Sequence, residues 1–563
     1  MENEFGSIAH PGNVNEPENY KLSNFRFRLI AILTAFVLVF FLIGTQMIIM
    51  AMNPDSKIIQ TEANRGEISG RKDIEDRRGK LLATNITVNA LYAHPHEIID
   101  KNKVVLELAN IFPDLEIQFF RDKLMSKKPF VWLRKTISPK QQQSVKDIGQ
   151  PGLYFGPREM RVYPNGEIAS HALGGSRFGN ERVDGAEVIG TAGVELYFDK
   201  FLRKIDDGDS KLELSIDVTI QSLIEQILKD GIGLMGAKGG SVVLMESKTG
   251  EILSLASFPE FDPNRRPKNL FKDDPANSPI FNRAVQGIYE LGSVFKIFTV
   301  ALALDEKFVE LGTKVNTKGP LRIGGRRISD HKYFGPSLTV EEVIVKSSNI
   351  GTVRIANKIG SVRLKEFYKQ LGLLEKTNLE LPESKLIVPQ FPKKWKGLET
   401  ATASYGHGIA VSPIHLAVAY SSLVNGGHKV EPTLLKKQAK VEGRSFIISE
   451  TTSQLVRSLL GQVVMKGTAK ESNFGGYNVG GKTGTAEKPD PIKGGYYEDK
   501  VISTFASVFP ISTADYVLVV TLDEPENNLG SESFRYASKT AVPISAKIIS
   551  RIAPLLGLKT NEE

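Results

Sequence analysis

Leu29–Met52 (LIAILTAFVLVFFLIGTQMIIMAM) runs for 24 residues without a charge, and no other feature constrains the chain as tightly. At about 1.5 Å of rise per helical residue, such a run covers the roughly 30 Å hydrocarbon core of a bilayer with room for tilt. A cleaved signal peptide has an apolar stretch of about 7–15 residues and small residues at its cleavage site. The exit Met50-Ala51-Met52-Asn53-Pro54 fits neither description, so the run reads as an uncleaved transmembrane anchor. Lys21, Arg26 and Arg28 precede it and Lys57 and Arg65 follow it, a slight excess that places the N-terminus in the cytoplasm. No later apolar stretch is long enough to span, which puts everything from Asn53 onward on the far side of the membrane.

A chain of 563 residues would make about three to five compact domains. Its 41% hydrophobic and 24% charged residues are globular proportions. The absence of cysteine excludes disulfide scaffolds, thiolate zinc sites, iron–sulfur clusters and cysteine nucleophiles together. A net charge of +8 from 72 basic and 64 acidic residues is a mild excess that a solvated basic surface accounts for.

Residues 1–28 are rich in Asn, Glu and Pro and lack an apolar period, so a disordered tail is expected before the anchor at 29–52. Residues 53–211 mix charges with short apolar runs, and Gly166–Gly193 has no helical period, which suggests one irregular α+β module. The character changes at Leu212. LELSID (Leu212–Asp217) alternates as a strand does, and Ile220, Leu223, Ile224, Ile227 and Leu228 then recur on one helical face. Ser241–Ser247 and Glu251–Ser257 read as alternating strands joined by Lys248-Thr249-Gly250, and Val501–Phe509 with Asp515–Leu522 as a second hairpin. Ala541–Ala553 places Ile544, Ile548, Ile549 and Ile552 on one helical face. The segment between the hairpins is mostly helical in pattern, so residues 212–555 form an α+β or three-layer domain, followed by a short tail at 556–563.

Three motifs carry candidate chemistry. In Ser293-Val294-Phe295-Lys296 an apolar helical run begins directly after Gly292, and positions i and i+3 share a face, so Lys296 can reach the Ser293 hydroxyl. A serine needs a base, and a lysine serves only if desolvation lowers its pKa, which Phe295, Ile297 and Phe298 could do. In Lys482-Thr483-Gly484-Thr485, an edge strand would let Gly484 admit a substrate backbone and Thr485 offer an N–H to an oxyanion, while Lys482 binds a carboxylate or polarises a hydroxyl. Ser347-Ser348-Asn349 offers a proton-relaying serine and an amide to hold a substrate amide, or merely caps the next helix. Each motif alone is weak: S-x-x-K recurs at Ser69–Lys72 and Ser329–Lys332, and K-T-G at Lys248–Gly250, where a hairpin turn suffices.

In the order S-x-x-K, S-x-N, K-T-G within one domain, the motifs make the chain resemble the penicillin-binding proteins and serine β-lactamases. AKGGSVVLMESKTGEILSLASFPEFDPN (Ala237–Asn264), ASYGHGIAVSPIHLAVAYSSLVNGG (Ala403–Gly427) and Glu524-Pro525 look like the class B transpeptidases. IEDRRGKLLATN (Ile74–Asn85), RVYPNG (Arg161–Gly166) and GTAGVELYFDKFL (Gly190–Leu202) resemble their membrane-proximal pedestal. The likeness covers about residues 60 to 555 and departs from the family pattern at Leu291, where many members have Pro, and Val294, where Thr is usual. Altered packing or drug affinity is expected there.

The resemblance implies an antiparallel sheet with helices on both sides. It also implies Ser293 as acylated nucleophile, Lys296 as its base, Ser347 and Asn349 as proton relay and substrate holder, and Lys482, Thr483, Gly484 and Thr485 as the opposite wall. The N–H groups of Ser293 and Thr485 would form the oxyanion hole. The activity implied is D,D-transpeptidation of peptidoglycan stem peptides, with carboxypeptidation as a side reaction and no metal or cofactor. β-Lactams would acylate the same serine. The short tail, single anchor and compact pedestal look more like the division-specific, septal type than the elongation-specific one. Implied partners are the lipid-linked precursor, a membrane-embedded SEDS-type glycosyltransferase and other divisome proteins, with no nucleic acid. The location implied is the bacterial inner membrane, single-pass, with a periplasmic catalytic domain.

Other readings fare worse. Gly476–Thr483 is a literal G-x-x-x-x-G-K-[ST] match, but Lys470–Asn473 is too polar for the buried strand a P-loop needs, and Pro489 and Pro491 would break the helix after it. His94 and His96 would share a strand face, yet without H-E-x-x-H they do not make a metal hydrolase. A β-lactamase or β-lactam sensor would use the same site, but a sensor needs further membrane helices.

Overall fold

The computed structural model describes residues 18–52, 70–182, 185–204, 211–267, 274–437, 445–470, 472–526 and 535–560. The chain forms two compact units, Met1–Ile68 and Ser69–Glu563. In the first, one helix runs from Glu18 to Met52. Its window Ile30–Met47 has a mean hydropathy of 2.3, and among the described residues no other helix is long and apolar enough to cross a membrane. The helix begins well before Leu29, which corrects the disordered tail expected over 1–28. Glu18–Arg28 contains neither Pro nor Gly, and extending an already nucleated helix adds one hydrogen bond per residue fixed, so the helix runs back until Pro17. Residues 1–17 lie outside the described residues.

The second unit opens with the pedestal. Its sheet is built on β2 (Leu81–Ala93), which pairs antiparallel with β1 (Ile74–Glu75), β3 (Val131–Ile137) and β4 (Leu153–Val162). The helices Lys101–Ile111 and Ile117–Leu124 close a small core there with Val104, Leu108, Phe120, Val131 and Leu133. The Gly-rich stretch holds a hairpin of β5 (Gly175–Arg182) and β6 (Gly185–Ala192), as the lack of helical period allowed. Two expectations fail. Only Leu212–Glu213 of LELSID is a strand, β7, and it pairs parallel with β1. Leu212, Leu214 and Ile216 share one core with Ile74, Leu82 and Leu173 and with the catalytic region. His94 and His96 do not share a strand face, since β2 ends at Ala93 and both lie in the following turn.

The catalytic region is built on one sheet in the order β14-β15-β16-β8-β9, all antiparallel: β8 (Gly239–Glu246), β9 (Ile252–Phe258), β14 (Gly480–Pro489), β15 (Tyr496–Phe509) and β16 (Tyr516–Asp523). Outside it, β10 (Lys314–Asn316) pairs with β13 (Ser337–Thr339) and β11 (Leu321–Ile323) with β12 (Arg326–Ile328). Both expected hairpins are present. Their buried residues do not follow a half-exposed alternation, however, because successive side chains point to opposite faces and both faces are covered. Val242, Leu244, Val520 and Leu522 pack under the helices Val218–Met235 and Ala541–Ile552, which bury Ile220, Ile224, Ile544 and Ile548. Val243, Met245, Val517 and Val519 face the helices Lys296–Asp305, Pro413–Val424 and Glu450–Lys466. The result is helix, sheet, helix, with β14 at the edge nearest the motifs.

Candidate active site

Gly292–Phe295 forms a 3-10 turn that leads into the helix Lys296–Asp305, so Ser293 stands at the head of an apolar helix as its spacing predicts. The turn lies against β14. A Cβ on Gly484 would come within 2.2 Å of the Leu291 carbonyl oxygen, a distance no side chain tolerates. Gly484 therefore admits the backbone of the turn that carries Ser293. Gly292 has φ +61°, and a Cβ there would stand 2.9 Å from the Thr485 carbonyl, so both contact faces require glycine. Leu291 and Val294, the two departures from the family pattern, are fully buried in this junction, where the Tyr420 hydroxyl donates to the Val294 carbonyl at 2.8 Å.

The two lysines converge on Ser347. Lys296 Nζ donates to the Ser347 carbonyl at 2.5 Å and to its Oγ at 3.2 Å, and Lys482 Nζ donates to the same Oγ at 3.0 Å. Among the described residues no hydrogen bond joins the Ser293 hydroxyl to the Lys296 amine, which in this arrangement is held by Ser347. Apo catalytic contacts commonly tighten only when substrate binds. Both lysines are buried. Burial holds Lys482 down to about 7, and burial followed by the neighbouring Lys482 charge holds Lys296 well below the usual lysine value, with Asp330 pulling the other way. A neutral amine beside a serine is the base that nucleophilic catalysis requires.

Ser347 adopts φ +58°, a left-handed conformation that a neighbour must hold in place. Sequence reasoning missed that neighbour. Asp330 Oδ1 accepts from the N–H groups of Asn349 (2.5 Å) and Ile350 (3.0 Å), and Oδ2 accepts from the Ser348 hydroxyl (2.7 Å). Ser348 caps the helix Asn349–Ile359, so the capping reading of this motif holds for Ser348, while Ser347 is the serine that the two lysines reach. The Asn349 amide donates to the Ser329 carbonyl at 3.0 Å. The Ser329–Lys332 match is thus no second nucleophile pair but part of the support behind the loop. The Ser69 end of the other match lies outside the described residues. Lys248–Gly250 is the hairpin turn expected, with the Thr249 hydroxyl on Glu246 at 2.6 Å.

On the opposite wall, Thr483 Oγ1 meets Thr468 Oγ1 at 2.6 Å, and Thr485 Oγ1 accepts from the Ala537 N–H at 3.1 Å, which fixes the edge strand from both sides. Lys482 sits inside that strand, not in a loop before a helix, which disposes of the P-loop match. His407 is a second residue no motif signalled. It lines a pocket with Thr485, Glu487 and Tyr536, and burial, then the Lys296 charge, pushes it down to about 4, so it stays neutral beside the lysines.

A hydroxyl at a helix head, two buried amines on a shared serine and a strand edge alongside constitute an acyl-transfer site. Residues 240–550 match the family model of the penicillin binding protein transpeptidase domain, and residues 60–222 that of the penicillin-binding protein dimerisation domain. The chain is 33% identical to the probable peptidoglycan D,D-transpeptidase FtsI of Caulobacter vibrioides, over 89% of this chain and 83% of that one. It is 31% identical to the probable peptidoglycan D,D-transpeptidase PenA of Neisseria gonorrhoeae, covering 90% and 88%, and 29% identical to the peptidoglycan D,D-transpeptidase FtsI of Escherichia coli K12, covering 86% and 85%. The crystal structure of penicillin-binding protein 3 of Mycobacterium tuberculosis with aztreonam shares the fold, with a TM-score of 0.65 at 22% identity over 88% of this chain and 97% of that one. The chain belongs to the class B penicillin-binding proteins, with a dimerisation-type pedestal ahead of a serine-type transpeptidase domain.

Proposed function

We propose that the chain cross-links peptidoglycan stem peptides as a D,D-transpeptidase in septal wall synthesis. The observation that carries this reading is the convergence of Lys296 and Lys482 on Ser347 Oγ, at 3.2 and 3.0 Å, beside the turn that bears Ser293. Neutral Lys296 takes the Ser293 proton as Oγ bonds to the carbonyl carbon of the penultimate D-Ala. The oxyanion is held by the N–H groups of Ser293 and Thr485. The proton passes through Ser347 to the leaving nitrogen as the C–N bond breaks and terminal D-Ala departs. An amine of a neighbouring stem peptide then attacks the acyl ester, and its proton returns to Ser293 by the same route. Asn349 holds the substrate amide, while Lys482 and Thr483 hold the terminal carboxylate along β14. β-Lactams enter the same path and stop at the ester.

The working division is 1–28 cytoplasmic tail, 29–52 anchor, 53–211 pedestal, 212–555 transpeptidase domain and 556–563 tail, with the catalytic domain in the periplasm of a single-pass inner-membrane protein. The apolar helix and the relatives named FtsI and PenA support this setting. A SEDS-type glycosyltransferase and other divisome proteins are the partners it calls for, with the lipid-linked precursor close by. Labelling the full chain in detergent with a fluorescent penicillin tests the chemistry: one label per chain is expected, lost in Ser293→Ala, and labelling that persists in that variant moves the nucleophile elsewhere. Depletion tests the setting, since filamentous cells support a septal role and rounded cells refute it.

A further inference from the structure

We propose that the pedestal carries a divalent transition-metal site of the zinc type, formed by His94, His96 and Glu97. All three lie in the turn between β2 and the helix Lys101–Ile111, and one ligand atom from each falls within 4.8 Å of the others. Zinc bonds of about 2.0–2.2 Å to imidazole and carboxylate put neighbouring ligand atoms of a tetrahedron roughly 3.3–3.5 Å apart. His94 Nδ1 stands 3.3 Å and His96 Nε2 3.5 Å from the same Glu97 Oε1, so two of the three ligand edges already have that length. The third edge closes by a rotation of His96, whose side chain is 63% exposed.

The surroundings fix the other two ligands. The Tyr154 hydroxyl donates to Glu97 Oε2 at 2.5 Å, which leaves Oε1 facing the imidazoles, the outer-sphere support that metal-bound carboxylates usually have. The His94 ring is packed against Tyr154 at 5.1 Å and Tyr92 at 5.7 Å between centroids. The backbone of the turn is closed by His94 N–H to the Gly152 carbonyl at 2.9 Å and Glu97 N–H to the His94 carbonyl at 3.0 Å. Two imidazoles and one carboxylate suit zinc, nickel or copper and not the all-oxygen preference of calcium or magnesium. Three protein ligands leave a fourth position for water or for a side chain from another protein. None of these residues belongs to the acyl-transfer site, so the expected absence of a catalytic metal is a separate matter.

Titration of the chelator-stripped full chain in detergent with Zn2+ tests the site by calorimetry, and Co2+ in its place tests its geometry by visible absorption. One ion per chain and the strong visible bands of four-coordinate Co2+ are expected. His96→Ala and Glu97→Gln should abolish stoichiometric uptake, and Tyr154→Phe should weaken it about 10–100-fold. Because His96 is exposed, His96→Ala should still be labelled by fluorescent penicillin like the wild type, which shows that the fold is intact. Equal uptake by wild type and His96→Ala, or no uptake by the stripped wild type, overturns the proposal.

Discussion

The pedestal and the catalytic region both bury charge, and they dispose of its cost in opposite ways. In the pedestal, Arg71 Nε and Arg161 Nε grip the two oxygens of buried Glu195 at 2.6 and 2.7 Å, Arg71 also reaches Asp199 at 2.8 Å, and the Tyr163 hydroxyl adds a bond to Glu195 at 3.2 Å. Each charge meets an opposite one. In the active site two amines are buried together on one hydroxyl, with no carboxylate within ion-pair distance among the described residues. Here burial depresses the lysine pKa values instead, and in the proposed mechanism the neutral form of Lys296 is the base. Paired burial builds a rigid support, and unpaired burial builds a reagent.

Lys296→Met should slow acylation by about 10²–10⁴-fold, the contribution of a general base. A lysine whose folded pKa is depressed costs stability fully below that pKa, and the cost fades as pH rises from there toward 10.5. The same variant should therefore melt higher than the wild type at pH 6, by a margin that shrinks in alkaline buffer. Glu195→Ala should do the reverse. Removing one partner of a buried ion cluster costs about 3–5 kcal/mol of stability, seen by denaturant unfolding, while the acylation rate per folded molecule stays unchanged. If Glu195→Ala were neutral for stability, the contrast would fail. Asp330→Asn is the smaller and finer probe. It replaces one of two acceptor oxygens by an NH2 donor, so either the Ser348 hydroxyl or the Asn349 and Ile350 N–H groups lose their acceptor, worth about 1–3 kcal/mol, and stopped-flow acylation should fall while the fold persists.

What could be read from residues alone follows from the range of each interaction. The hairpins were recoverable as short apolar runs on either side of turn residues, and the helix with Ile544, Ile548, Ile549 and Ile552 because its packing shows as period 3.6 within a few residues. The convergence of Lys296 and Lys482 on Ser347 could be anticipated because the motifs restrict residue type at short spacing. Asp330 was not, since its contacts with Ser348, Asn349 and Ile350 exist only once the intervening chain has folded back, and no local signal marks it. The contact of Gly484 with the Leu291 backbone was not legible either, because Leu291 is far away in sequence. The pedestal sheet escaped for a similar cause: β1 at Ile74 and β7 at Leu212 pair across most of the module. The helix start at Glu18 escaped because composition describes a segment in isolation and not one continuing a nucleated helix.

The most direct test of the unpaired-burial account is the rate of Ser293 acylation by a β-lactam as a function of pH, in the wild type and in Lys296→Met. A base that must be neutral works only above its folded pKa, and burial sets that value low. The wild-type rate should rise with pH through a midpoint well below the 10.5 of a free lysine and then level off, and this rise should vanish in the variant. A rate that climbs steadily to pH 10.5, or an identical profile in Lys296→Met, would contradict the account.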